Sequence, residues 1–307
     1  MGAVPSPPSV ASASLDYYIH FMQIIRSIKK MQAAARLYAA RGKKIAIVPT
    51  MGALHEGHQS LVARAAKEAD VVITTVFVNP AQFAPTEDLA KYPRDEKNDL
   101  LKIEAALGKK KASGIVFLPK ADEIYPDDFR TWVDVGELTD TLEGARRPGH
   151  FKGVTTIVAK LFNICRPDVA IFGMKDYQQA MVLKRMTVDL GYPIKYIIAP
   201  TMREPDGLAM SSRNRYFTES QRWEAVALYY ALKSARSMVK AGNCETREIE
   251  KEMRAVIKAT CPTSEVHYIA FTDFETLKPM AKVVRGTICS LSVKVHGVNL
   301  IDNMKMG

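Results

Sequence analysis

From Ile24 to Ala40 apolar positions recur at helical spacing, and past Gly42 the pattern becomes the short apolar run Ile45-Ala46-Ile47-Val48, which predicts a helix followed by a buried strand. Ser60 to Ala69 is rich in helix formers, and Val71 to Val78 is β-branched and apolar, so a second helix and strand complete a βαβ unit. The alternation continues: a helix over Asn98 to Leu107, a strand over Gly114 to Leu118, a helix over Gly153 to Cys165 and a strand over Val169 to Phe172. A further helix and strand end at Ile197-Ile198-Ala199-Pro200. Strands separated by helices predict an α/β fold, a doubly wound, mostly parallel sheet whose ligands gather at the strands' carboxyl ends. Past Thr201 the rhythm changes to helical stretches over Thr218 to Lys240 and Thr246 to Thr260, then strands over Val266 to Phe271, Ile288 to Val295 and Val298 to Ile301. Helices followed by adjacent strands predict a second, smaller α+β domain. The expected organisation is a disordered tail over 1–14, a Rossmann-like α/β domain over 15–201 and a smaller α+β C-terminal domain over 202–307.

Composition narrows the function classes. A chain of 307 residues, 47% hydrophobic and 25% charged, has the balance of a folded protein with room for two cores. Forty-three Lys and Arg against 33 Asp and Glu give a formal charge of +10, which favours an anionic partner. The cations are dispersed, and the densest run, Lys109-Lys110-Lys111, reads as a solvated helix end or loop. There is no basic stripe interleaved with aromatics, so no nucleic-acid partner is expected. Cys165, Cys244, Cys261 and Cys289 are far apart and form no CxxC pair, which suits a reducing compartment, with the cytoplasm as the default. No apolar run approaches the roughly 20 residues that span a bilayer. The opening Met1 to Ser14 lacks the charged-then-apolar order of a secretory signal.

The chemistry concentrates just after the first predicted buried strand, in Val48-Pro49-Thr50-Met51-Gly52-Ala53-Leu54-His55-Glu56-Gly57-His58. Backbone N–H groups at a helix start attract anions, and Gly52 and Gly57 would let a phosphate approach the backbone. His55 and His58, three apart on a first helical turn, face one side together. They read as paired phosphate donors, as a zinc pair, or as a plain helix face; zinc is disfavoured because the HExxH spacing is absent. No GxxxxGK[ST] loop and no GxGxxG fingerprint occur, so a nucleotide must be held otherwise. A second cluster, Met210-Ser211-Ser212-Arg213-Asn214-Arg215, follows the polar loop Arg203-Glu204-Pro205-Asp206-Gly207 and puts hydroxyls beside guanidinium, as a mobile phosphate clamp would.

The His-x-Gly-His element with a late Met-Ser-Ser-Arg loop resembles the nucleotidyltransferase superfamily, with its Rossmann-like sheet, and within it the pantothenate synthetase family. Pro49 to His58 matches that family's signature, and four further blocks follow in order: Phe77-Val78-Asn79-Pro80-Ala81-Gln82-Phe83, Arg147-Pro148-Gly149-His150-Phe151, Phe172-Gly173-Met174-Lys175-Asp176-Tyr177-Gln178-Gln179, and Asp206 to Asn214. The resemblance covers about residues 16 to 307 and thins in the second domain.

The resemblance implies a two-step ligase using ATP, pantoate and β-alanine, with Mg2+ accompanying ATP and a homodimer as the usual assembly. It implies that His55 and His58 hold the ATP phosphates and that Met51 offers a backbone donor. Lys175 would neutralise the transferring phosphates, with Ser211, Ser212 and Arg213 closing over them. Gly57, Gly173, Asp176 and Met210 would contact the nucleotide. Gln82 and Gln179 would clamp pantoate, and Asn79, Arg147 and His150 would lie near the acid substrates. The chain departs from many relatives where it carries Asn98-Asp99 in place of two adjacent acids, leaving Asp99 as the one candidate carboxylate there for the metal. Two rivals are set aside: a nucleotidyltransferase that stops after the first transfer leaves Gln82 and Gln179 without a task, and a nucleic-acid module lacks its basic stripe.

Overall fold

The computed structural model describes residues 22–85, 87, 89–108 and 112–307; the predicted tail over 1–14 and the Lys109-Lys110-Lys111 run lie outside them. The first described element is a strand, β1 (Met22–Ile25), where the sequence pattern predicts the start of a helix. Ser27 breaks the two apart: its backbone is extended and its side chain accepts from the Lys30 N–H, so α1 (Ile28–Ala40) begins after it. There follow β2 (Ile45–Thr50), α2 (Glu56–Glu68), β3 (Val71–Val76), α3 (Glu96–Leu107), β4 (Ser113–Phe117), and the short α4 (Ala121–Ile124) and α5 (Leu142–Arg146). Next come α6 (His150–Cys165), β5 (Val169–Gly173), α7 (Tyr177–Asp189) and β6 (Lys195–Ala199). The strands form one parallel sheet in the order β1-β4-β3-β2-β5-β6.

That order confirms the doubly wound sheet and fixes where its direction reverses. β3 lies on one side of β2, whereas β5 pairs with the other side through Ala46–Val169 and Ile47–Ala170. The crevice outside the carboxyl ends of β2 and β5 is therefore the switch point. Ile45, Ile47, Ile73 and Ile115 face one core with α1, α6 and α7, while Val48, Val72 and Val116 face the other with α2 and α3. Each such side chain, fully buried, contributes roughly 1.5–3 kcal/mol. α6 is the most enclosed helix, from His150 and Phe151 through Cys165, and starts three residues earlier than its apolar pattern predicts.

The later part contains α8 (Glu219–Ala225), α9 (Ala227–Lys240), α10 (Thr246–Thr260) and an antiparallel sheet β7 (Glu265–Asp273), β8 (Thr287–Val295) and β9 (Val298–Lys305) in the order β7-β8-β9. The helix predicted over Thr218 to Lys240 is two helices meeting at Val226. Ile249, Met253 and Ile257, four apart on α10, join Ala231, Leu232 and Ala235 of α9 against β8. Tyr177 and Met181 of α7 meet Leu277 and Ile288 in a smaller cluster joining the two parts.

Candidate active site

A cavity of about 780 Å³ opens at the switch point, lined from the ends of β2, β3 and β5, from α6, from the loop after β6 and from β9. It receives Met51, His55, Gly57, His58, Asn79, Gln82, Arg147, His150, Gly173, Lys175, Asp176, Gln179, Met210, Ser211, Ser212 and Arg213. Of the expected site residues Asp99 and Gly52 do not line it.

The turn after β2 is more tightly built than a bare helix end. His55 is the N-cap of α2, and its Nδ1 accepts from the Gly57 N–H at 3.1 Å, while His58 Nδ1 accepts from the His55 N–H at 3.4 Å. Two of the backbone donors expected to meet an anion are thus already used, a correction to the reading of this turn as a row of open N–H groups. The substitute is better defined: with each Nδ1 accepting, each proton sits on Nε2, and the rings, 4.1 Å apart between centroids, present a pair of N–H donors. Burial holds His55 down to about 3, helped by His58 and Lys175, and burial holds His58 down to about 4. Both rings are therefore neutral near pH 7 and have no charge to lose. Gly57 serves this geometry, since a Cβ there would stand 2.8 Å from His55 Cε1.

Asp99 corrects the metal expectation. It is 3% exposed, and its two oxygens accept from the Ala53 N–H at 2.9 Å and the Leu54 N–H at 2.7 Å. A carboxylate enclosed and engaged in this way fastens α3 to the histidine turn and leaves no open face for a hydrated cation. Lys102, one turn later, donates to the Leu54 carbonyl at 2.5 Å.

Beyond β3, Pro80 to Gln82 form a 3-10 turn pressed against α6, possible because Gly153 has no side chain: a Cβ would lie 2.2 Å from the Ala81 carbonyl. Asn79 is 1% exposed and fully engaged, donating to Gln82 Oε1 and the Gly153 carbonyl and accepting from the Tyr125 hydroxyl. It orients Gln82 from inside the cavity wall. Gln82 Nε2 donates at 3.0 Å to Met51 Sδ, a weak acceptor that a substrate oxygen could replace. Arg147 forms a two-pronged pair with Glu87 at 2.7 and 2.8 Å and meets His150 Nε2 at 3.1 Å, while His150 Nδ1 donates to the Gln82 carbonyl at 2.9 Å. Burial, with Arg147 adding to it, lowers His150 to about 4. Arg147 and His150 therefore support the Gln82 turn from beneath.

At the end of β5, Met174 to Asp176 form another 3-10 turn, with Lys175 Nζ 3.3 Å from Asp176 Oδ1. Burial opposes the Asp176 charge, but Lys175, His58 and Arg213 together hold its pKa below the usual value. Gln179 lies one turn into α7, half-buried on the cavity. The adjacent Gln178 is instead structural, donating to the Leu138 and Thr141 carbonyls.

The polar loop after β6 divides in two. Arg203 pairs with the buried Asp302 at 2.6 and 2.9 Å, Arg222 pairs with Asp206 and Glu204, and Arg203 bridges Ala209, so its first half is bound to β9 and α8. Ser212 to Tyr216 then form a 3-10 turn whose N-cap Ser211 accepts from the Arg213 N–H. Two residues escaped the sequence reading. Tyr92, buried on the cavity wall, has its hydroxyl pushed up by burial although it hydrogen-bonds Ser212. Asn303 of β9 donates to the Met174 and Lys175 carbonyls at 2.8 and 2.9 Å. The Tyr92-Pro93-Arg94 turn was a visible signal for the first; nothing local marks the second.

Neutral N–H donors, an ammonium, hydroxyls and a guanidinium thus surround one space, with amides at its inner end. This is a set for spreading anionic charge and orienting a carboxylate, and it includes no cysteine nucleophile.

A family profile described as Pantoate-beta-alanine ligase matches residues 23–305. A pantothenate synthetase of Moorella thermoacetica is 48% identical over 288 residues, covering 93% of this chain and 98% of that one. One of Roseiflexus castenholzii is 46% identical, with 92% and 98% covered. Among solved structures, pantothenate synthetase from Thermus thermophilus aligns with a TM-score of 0.86 at 40% identity, over 93% of this chain and 99% of that one. Pantoate-beta-alanine ligase from Francisella tularensis, complexed with beta-gamma ATP and beta-alanine, aligns at 0.75 with 33% identity over 93% and 98%.

Proposed function

The chain belongs to the pantoate–β-alanine ligase family, and on that premise we propose that the switch-point cavity is where it makes pantothenate. It is a ligase that uses ATP to join pantoate to β-alanine. A pantoate carboxylate oxygen attacks the α-phosphorus in line, forming the acyl–phosphate bond as the bond to pyrophosphate breaks. The β-alanine amine then attacks the acyl carbon; the amide forms, AMP leaves with the bonding pair, and the amine's surplus proton passes to solvent.

The observation that carries this reading is the pair of neutral imidazole N–H donors facing the same cavity as Lys175 and Gln82. His55, His58 and Lys175 would bear on the α-phosphoryl oxygens and the departing pyrophosphate, where charge accumulates. Ser211, Ser212 and Arg213 would cover the phosphates, with Gly57, Gly173, Asp176, Met51 and Met210 shaping the nucleotide's bed. Gln82 and Gln179 would hold pantoate by amide hydrogen bonds, which orient its carboxylate without neutralising it. Asn79, Arg147 and His150 support Gln82.

Mg2+ would enter on the phosphates. Three of the cavity's carboxylates are paired, Asp176 with Lys175, Glu87 with Arg147 and Asp302 with Arg203, while Glu143 keeps one buried oxygen without a hydrogen bond; the residues suit an ion that keeps its waters and is held mainly by substrate, with Asp176 as an outer partner. When bound it would neutralise β- and γ-phosphate charge. We further propose a division near residue 201, with the second part as a lid, a homodimeric state and a cytoplasmic location. No helix among the described residues is long and apolar enough to cross a membrane.

The test is isotopic. ATP and pantoate should yield pyrophosphate and enzyme-held adenylate, and labelled β-alanine should then appear in an amide with release of AMP. Pyrophosphate release with no incorporation of β-alanine would instead mark a nucleotidyltransferase. Sedimentation velocity would settle the assembly.

A further inference from the structure

Outside the reaction cavity the described residues contain one group of three side chains able to hold a metal ion together: Glu224, Cys261 and His296, whose ligand atoms all lie within 4.8 Å of one another. None of them lines the cavity. They come from three separate elements: Glu224 from the last turn of α8, Cys261 from the C-cap of α10, and His296 from the turn between β8 and β9.

We propose that these residues form a site for Zn2+ or a similar borderline-soft divalent cation, with one sulfur, one imidazole nitrogen and one carboxylate oxygen as ligands and water completing a tetrahedron. The donor set is mixed in the way zinc favours, and a thiolate ligand excludes Mg2+ and Ca2+. The spacing fits. Bonds of about 2.0–2.3 Å put tetrahedral ligand atoms about 3.3–3.6 Å apart, and His296 Nε2 stands 3.1 Å from Glu224 Oε2. Cys261 is fully buried, whereas Glu224 and His296 side chains are 35% and 22% exposed, so the thiol closes the inner side and an ion enters from outside.

Without metal the three groups satisfy one another, the Cys261 thiol hydrogen-bonding Glu224 beside the His296–Glu224 contact. Burial, with Glu224 beside it, pushes that thiol's pKa above its usual value. Binding would release its proton to solvent and move the imidazole proton to Nδ1, so uptake strengthens as pH rises. The bound ion would staple the β8–β9 turn to α8 and α10. β9 also carries Asp302 and Asn303, so the staple would steady the strand that buttresses the cavity.

The experiment uses the full-length protein, freed of metal with a chelator and titrated with Co2+ and then Zn2+. One Co2+ per chain should bind with thiolate-to-cobalt absorption and tetrahedral visible bands, and Zn2+ should displace it and raise Tm. Because no cysteine lines the reaction cavity, thiolate absorption separates this site from ion binding at His55 and His58. Cys261→Ser should abolish the thiolate band. Should that variant fold poorly, His296→Asn, at a turn whose φ of 46° asparagine tolerates, should weaken Zn2+ binding by about 10-fold or more. Absence of thiolate absorption in the native protein, or unchanged Zn2+ affinity in a folded His296→Asn protein, would overturn the assignment.

Discussion

His55 and Lys175 come from strands on opposite sides of the switch point, and each offers one donor to charge that grows during adenylate formation. His55→Ala and Lys175→Ala should each slow single-turnover pyrophosphate release by about 100-fold or more, with folding retained; near-native release from either folded variant would remove it from the catalytic set. The histidines also predict an acid response. His55, His58 and His150 have pKa values depressed from 6.5 to about 3, 4 and 4, so below about pH 6.5 the unfolded chain takes up protons that the folded chain refuses. Their stabilising contribution is complete above pH 6.5 and is lost as pH falls toward 4. Tm should drop by roughly 5 °C or more between pH 7 and 5, and His150→Gln should make the drop shallower. The donors were legible because their meaning is local, a strand-to-helix turn with two histidines three apart. Asp99 was misread because the N–H groups it holds lie 45 and 46 residues away, a relation no local pattern displays.

β2, β5 and the βαβ alternation, with uninterrupted apolar periods, were read correctly; the start of α1 was misplaced where a polar residue redirects the chain, whereas the break at Val226 falls inside an apolar stretch. The last two residues of β1 merged with α1 in the pattern because Ile24, Ile25 and Ile28 fit helical spacing, and only the Ser27 cap and the pairing with β4 distinguish them. Between elements the least expected link is the Asn303 amide of β9 on two carbonyls of the turn that carries Lys175. Asn303→Asp keeps the shape but sets an acceptor against acceptors. It should lower kcat by about 10-fold or more with little change in the KM for ATP, because Lys175 would be displaced while the nucleotide bed stays intact. Asn303→Gln, which retains the amide donors, should recover part of the rate. Equal damage in both variants, or a change confined to thermal stability, would reduce the link to packing.

At the scale of the whole molecule, the cavity lies between a parallel sheet that brings the donors together and a smaller sheet that covers them, and the loop after β6 connects the two. Its polar composition suggested one mobile lid, but the ion pairs divide it. Arg203, Glu204 and Asp206 are tied to Asp302 and Arg222, whereas Ser211, Ser212, Arg213 and Tyr216 line the cavity beside Tyr92, and the Asn214 amide, donating to Glu204 and the Ala209 carbonyl, is the hinge between the halves. The first half should therefore travel with α8 and β9 as one body, and the second half should respond to phosphate directly. Amide exchange should be slow over 203–209 with or without ligand, and ATP with Mg2+ should slow it most over 211–216. The hydroxyls and guanidinium supply the differential contacts that such ordering requires. Arg213→Ala should lose most of the ATP-dependent protection over 211–216 and leave 203–209 as it was. Breaking the anchor with Asp302→Asn, which strands Arg203 beside a neutral amide, should raise exchange over 203–209 without ligand. Were ATP to slow both halves equally, the loop would be a single lid and the ion pairs would have to open and close with it.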